Sequence, residues 1–306
     1  MTSSYTRSTY LDMLTYKRPE GSAAQTEFCQ KYLEPVFGKP DEMGNYILLV
    51  GKDVSVAFMS HHDTVHSSGG RQVVDSTTDF VKATGKDCLG ADCTTGIYIM
   101  LKMIEAGVAG LYVVHAAEEV GCKGSAYIVD TRPDLFVGIT AAISFDRYGY
   151  GSVITHQMGY RTCSDEFAES LSDILGLGMQ CDKNGSYTDS NEYVGIVPEC
   201  TNVSVGYFNQ HTANEQQDIV FMDTLADACI DADWSKLVIK RKPQSKDDLY
   251  DLDWPVSDEY AKDADLLEIV HAYPEAVANL LYDWGYTANG LMDDLDNRPF
   301  KKYNYQ

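Results

Sequence analysis

The sequence predicts an α/β protein: a mixed, mostly parallel central sheet covered by helices on both faces, with a C-terminal helical extension. Three observations predict it. Short apolar runs alternate with segments of helical spacing, and two of the runs, residues 111–115 and 141–145, are apolar at four of five positions, as suits strands buried on both faces. Beyond about Val238 the pattern breaks at Lys240-Arg241-Lys242-Pro243, and residues 241–306 carry twice as many acidic as basic side chains. Residues 1–240 are therefore expected to form one domain and residues 241–306 an acidic helical appendage.

Taken in order, residues 10–15 and 23–33 carry apolar side chains at helical spacing, separated by Arg18-Pro19-Glu20-Gly21-Ser22, which supplies a breaker and a cap. Residues 45–50 and 54–59 are β-rich runs joined by Gly51-Lys52-Asp53, a turn signal of hairpin type. From Gly96 to Ile104 the chain is apolar enough for a buried helix, and Gly107 and Gly110 precede the strand at 111–115. Residues 124–129 suit a helix, 141–145 a strand, 164–175 an amphipathic helix, 202–205 a strand and 222–232 a helix. In the appendage, residues 259–273 and 275–284 have helical spacing, and Leu266, Leu267, Ile269, Val270, Leu280, Leu281 and Trp284 give it an apolar face suited to packing or to an oligomer interface.

Composition narrows the function. A chain of 306 residues that is 44% hydrophobic buries a full core, and its net charge of −22 repels phosphate backbones and anionic membrane surfaces. Nucleic acid and membrane are thus poor partners, and cationic or free-amine substrates are favoured. Residues 1–16 hold no apolar run of signal-peptide length, and no stretch approaches the roughly 18 apolar residues of a membrane span, so a cytoplasmic protein is expected. The eight cysteines are scattered without a C-x-x-C pair and read as reduced thiols.

In open α/β sheets ligands gather beyond the carboxyl ends of strands, and five potential metal ligands stand there. The run 54–59 leads into Ser60-His61-His62-Asp63, in which His61 and Asp63 fall on one side of an extended chain. A ligating His with a carboxylate that orients its ring is a usual pairing. Asp92 lies in Gly90-Ala91-Asp92-Cys93-Thr94-Thr95-Gly96, directly before the buried helix, where its two oxygens can bridge two cations. Glu118 and Glu119 follow the strand at 111–115, Asp146 follows 141–145, and His211 follows 202–205. Any one of these is an ordinary polar residue or cap. Together, two imidazoles and three carboxylates match a borderline metal that accepts nitrogen and oxygen.

The order H-x-D, G-A-D-x-x-x-G, E-E-x-G-x-x-G, F-D and a late His resembles the co-catalytic zinc aminopeptidases and their clan MH relatives. The stretch Thr188-Asp189-Ser190-Asn191-Glu192-Tyr193 before Gly195-Ile196-Val197-Pro198 is similar to a segment of the aminopeptidase branch. The resemblance covers about residues 8–238 and implies that the first domain is catalytic, with Asp92 bridging two zinc ions. His61 and Asp146 would complete one site and Glu119 and His211 the other, with Glu118 as general base and Asp63 orienting His61. Only 31 residues separate His61 from Asp92 and 65 separate Asp146 from His211, too few for an inserted lid, which favours the single-domain branch.

The implied reaction is removal of N-terminal residues from peptides by a hydroxide shared between the metals. The alternatives are a deacylase or amidohydrolase acting on a small amide, a glutaminyl-cyclase-like enzyme with the same site, and a catalytically silent binding protein. In these families Asp or Asn, joined by a cis peptide, usually follows the bridging Asp. Here Cys93 stands there and reads as a small buried filler, with a softer ligand as the alternative. Tyr187, Asp189, Tyr207 and Arg147 are candidate substrate contacts, Arg147 toward a carboxylate or else in a surface ion pair. His62 and His66 are expected to be exposed on a loop, and His115 to be packed in the core.

Overall fold

The computed structural model describes residues 5–244 and, beyond them, Val277, Ala278, Leu281 and Thr287. The chain divides into two units, residues 1–252 and 253–306. The helices expected at 259–273 and 275–284 lie outside the described residues, apart from Val277, Ala278 and Leu281, which are helical.

The elements run α1 (Arg7–Met13), β1 (Tyr16–Lys17), α2 (Ala23–Phe28), a π turn (Cys29–Leu33), α3 (Glu34–Phe37), β2 (Tyr46–Val50), β3 (Val56–His61), β4 (Gly70–Arg71), β5 (Val74–Asp75) and β6 (Phe80–Ala83). There follow α4 (Ala91–Ala106), β7 (Gly110–His115), α5 (Lys123–Thr131), β8 (Ala141–Arg147), β9 (Ser152–Ile154), β10 (His156–Gln157), β11 (Tyr160–Arg161) and α6 (Asp165–Leu175). The last are β12 (Gln180–Asp182), α7 (Asp189–Glu192), β13 (Glu199–Ser204), β14 (Tyr207–Phe208), β15 (Gln216–Asp218) and α8 (Ile219–Asp231).

A seven-stranded sheet has the order β12-β9-β13-β8-β3-β7-β2. Its middle strands β13, β8, β3 and β7 run parallel, β2 is antiparallel to β7, and β9 is antiparallel to β13. The strand period of two divides the core between the faces. Phe58, Tyr112, Val114, Ile143 and Phe145 pack with α1, α4, α6 and α8, whereas Ala57, Met59, Leu111, Val113 and Ala142 pack with Ile128, Phe136 and Tyr193 on the other side. Helices thus cover both faces, and the parallel strands β3, β7, β8 and β13 bring their carboxyl ends to one edge.

Two readings of the sequence change. Residues 45–50 and 54–59 do not form a hairpin: β2 pairs with β7, and β3 lies between β7 and β8. The glycine turn is real, but pairing with the sheet centre outweighs the local signal, because β3 is buried along its whole length. The second change is an addition, a four-stranded antiparallel sheet in the order β14-β15-β6-β5. All eight cysteines are free thiols, and seven of them are buried. Among the described residues no helix is long and apolar enough to cross a membrane.

Candidate metal centre

The strand-end residues meet at the carboxyl edge of the sheet. Nε2 of His61, the last residue of β3, lies 3.1 Å from Oδ1 of Asp92 and 3.5 Å from Oδ1 of Asp146. Nε2 of His211 lies 3.1 Å from the other oxygen of Asp92 and 3.3 Å from Oε2 of Glu119. Asp92 therefore faces one imidazole with each oxygen. Oε2 of Glu118 is 3.9 Å from Nε2 of His61.

Each side chain is held from behind. Asp63 is fully buried, sits 3.4 Å from Nδ1 of His61, and accepts the backbone N–H groups of Glu118 and Glu119 at 3.1 and 3.0 Å. One carboxylate thus fixes both the first His and the Glu118-Glu119 turn. Asp146 accepts from Thr188 Oγ1 at 2.9 Å and from the Tyr207 hydroxyl at 3.2 Å, while Asn202 bonds its backbone on both sides. Asp92 sits in the first turn of α4, where the Asp92–Cys93 peptide is cis. Glu215 accepts the N–H of Gly90 at 2.8 Å and of Asp92 at 3.1 Å. Arg18 is buried beneath His62, donating to the His62 carbonyl and to Thr94 Oγ1, each at 2.8 Å, with its guanidinium 4.0 Å over the Phe28 ring.

The electrostatics are those of too many anions in one dry place. Burial and the Asp92 charge raise Asp146 to about 7, and the same two causes raise Glu215 to about 7. Burial, then the Glu119, Asp146 and Asp189 charges, push Glu118 well above the usual carboxylate range. Burial alone would lower His61 and His211, yet the surrounding carboxylates hold both well above their ordinary value. Asp92, gripped by both imidazoles despite its burial, is held low. Oε1 of Glu119 is buried with no hydrogen-bond partner. Excess buried carboxylate and an orphaned ligand atom are what a divalent cation would relieve, and the donor atoms of Asp92, Glu119 and His211 lie within 4.8 Å of one another, as do those of His61, Glu118 and Glu119.

The remaining candidates divide. Tyr207 reaches the centre through Asp146, and Tyr187 is exposed beside Thr188, its hydroxyl bonded to Glu192. Asp189 is buried and lies 2.9 Å from Nδ1 of His115, whose Nε2 is 2.8 Å from the Tyr193 hydroxyl. Arg147 stacks 4.1 Å over Tyr148 and donates to the Asn184 carbonyl at 2.9 Å, facing the β12 segment. The Cys93 thiol donates to the Phe145 carbonyl at 3.0 Å and touches Ser60 Oγ at 3.0 Å, though its sulfur is also within 4.8 Å of ligand atoms of His61 and Asp146. His62 and His66, expected on the surface, are buried: His62 lies between Gln25 and the Gly44 carbonyl, and His66 against Thr64. Sequence reasoning missed Glu215, Thr188, Asn202 and Arg18. Thr188 at least stood in the stretch that resembles the aminopeptidase branch, whereas Glu215, Asn202 and Arg18 carried no signal of their own.

No protein-family model and no curated protein matches the chain. Solved structures do. The tripeptidase from Staphylococcus aureus is 14% identical with a TM-score of 0.60, covering 74% of this chain and 96% of that one. The aminopeptidase PepT from Bacillus cereus is 14% identical with a TM-score of 0.57 over the same shares. The TET1 peptidase of Pyrococcus horikoshii, described as assembling into a tetrahedron or a large octahedral shell, is 13% identical with a TM-score of 0.57, covering 74% of this chain and all of that one. At such identities the likeness is one of fold, and the chain is built on the fold that the zinc-aminopeptidase motifs implied.

Proposed function

We propose that this chain is a two-zinc aminopeptidase that hydrolyses the first peptide bond of a peptide carrying a free α-amine. The observation that carries the reading is Asp92, whose two oxygens each lie 3.1 Å from a different imidazole, so that one carboxylate serves two neighbouring positions. His61 and Asp146 would hold one ion, Glu119 and His211 the other, and Asp92 both. Zinc bound there would polarise the scissile carbonyl and acidify water.

The chain's own groups do the rest. Glu118, adjacent to a ligand and raised by burial, takes a proton from the attacking water on Oε2 and returns it to the departing amine nitrogen as the C–N bond breaks. Asp63 holds the His61 ring and the Glu118 backbone in register, so the base and the His61 imidazole keep a fixed separation. Tyr207 and Thr188 leave Asp146 little freedom to turn. The surplus of carboxylates favours a cationic amine over a blocked or acidic terminus. Residues 1–240 act as the catalytic domain.

Metal analysis by mass spectrometry together with a panel of aminoacyl anilides, N-acyl amino acids and N-terminal glutaminyl peptides tests this. Two zinc ions per chain and hydrolysis of the anilides are expected. Fewer than two ions, or activity confined to the blocked or glutaminyl substrates, overturns it.

A further inference from the structure

We propose that Glu215 is a positioning residue for this centre, a clamp that sets the angle at which Asp92 is presented to the two metal positions. The inference rests on the metal-centre reading above and extends it to a residue that touches neither ion nor substrate. Glu215 is only 1% exposed, and both of its oxygens are committed, one to the N–H of Gly90 and one to the N–H of Asp92 itself. These donors lie in the irregular entry to α4: Gly90, the N-cap residue, is left-handed and supplies no side-chain cap, and Asp92 and Cys93 are non-helical, so the regular turns offer these N–H groups no carbonyl of their own. A carboxylate there is favoured by the helix dipole as well as by the two bonds.

Capping alone would explain a stabilising role. Two features point further. The second bond grips the backbone of the residue whose carboxylate faces both imidazoles. Glu215 also lies in the same loop as His211, four residues on, so the clamp fixes the Asp92 turn and the His211 loop to each other, across the 3.1 Å approach of those two side chains. The next residues continue the seam: Thr95 of α4 donates to Gln217 at 2.7 Å. Partners behind metal ligands typically govern metal affinity by about 10–100-fold.

A second buried glutamate provides the control. Glu199 is fully buried and accepts from Ser164 N and Oγ and from the N–H groups of Lys240 and Arg241 at 2.7–2.9 Å, but it opens β13, at the opposite end of the strand from the metal edge. Zinc affinity of the full chain, measured by chelator competition, is compared with unfolding midpoints for wild type, Glu215→Gln and Glu199→Gln. The expected result is a loss of about 10–100-fold in zinc affinity for Glu215→Gln alone, with both variants less stable than wild type. Wild-type zinc affinity in folded Glu215→Gln overturns the proposal and leaves the metal reading standing. Wild-type protein that binds no zinc overturns the metal reading, and this inference with it. Should Glu215→Gln fail to fold, Glu215→Asp, one methylene shorter with its charge kept, carries the same comparison.

Discussion

Glu118 and Glu119 are consecutive, chemically identical and held by the same Asp63, yet they face different neighbours: Glu118 approaches His61, and Glu119 approaches His211. Their roles should separate on substitution. Glu118→Gln is expected to lower kcat by about 10²–10⁴ while zinc content stays at the wild-type level. Loss of zinc along with activity would instead make Glu118 a ligand. A second residue reports on the ground beneath the site. Burial, then the Arg18 charge, pushes His66 down to about 4, so the folded chain keeps this imidazole neutral where the unfolded chain, near 6.5, takes up a proton. Because the folded value is lowered, the stability that neutral His66 supports is present above pH 6.5 and is lost as pH falls toward 4. In metal-free protein, His66→Gln should remove up to ~3 kcal/mol of the loss on acidification from pH 7 to 4, read from urea unfolding. Parallel curves for wild type and variant would contradict the assignment.

At the scale of elements, the site depends on how closely α4 lies on the sheet. A Cβ at Gly96 would come within 2.8 Å of Cys93 Sγ and of Ser60 Oγ and would also meet the Phe145 carbonyl. Gly96→Ala should therefore cost about 1–3 kcal/mol in a denaturation experiment and, by lifting the helix start, weaken zinc binding as well. The elements that the sequence disclosed are the ones with a long period: the run from Gly96 to Ile104, the strands at 111–115 and 141–145, and the helix at 164–175. The strands β5, β6, β14 and β15 have two to four residues each, too few for any alternation to register, and the pairing of β15 with β6 that joins the two short hairpins spans more than 130 residues. The hairpin signal at Gly51-Lys52-Asp53 misled because a turn fixes where the chain reverses, whereas the strand's neighbours are chosen by burial. His61, Glu118, Glu119 and Asp146 stood out as candidates because each is a polar side chain at or just beyond the end of an apolar strand. Glu215 did not, since a side chain that serves backbone N–H groups leaves no partner residue type to look for. His62 and His66 were misread because nothing local tells a buried loop from an exposed one.

For the whole molecule, metal and stability should be linked. With no cation, the charges and orphaned atoms of the centre oppose one another inside a closed fold. Zinc at about 1,000 times its Kd would add about 4 kcal/mol, which for a domain of this size is a rise in Tm of roughly 8–16 °C. Chelation should reverse it, as calorimetry in the presence and absence of chelator would record, and an unchanged Tm would speak against ions held by buried ligands. The small sheet gives this coupling an asymmetry. His211 lies between β14 and β15, and β15 pairs with β6, whereas His61 and Asp146 belong to the central sheet itself. Of the residues at the centre, His211 alone is thus mounted on the smaller frame, while His61, Glu119 and Asp146 stand at the strand ends of the central sheet, with Asp92 at the start of α4 between them. Strain or mutation in the minor frame would tilt one metal position while the other held its shape, so the chain could lose its second ion in a step of its own and pass through a half-loaded form.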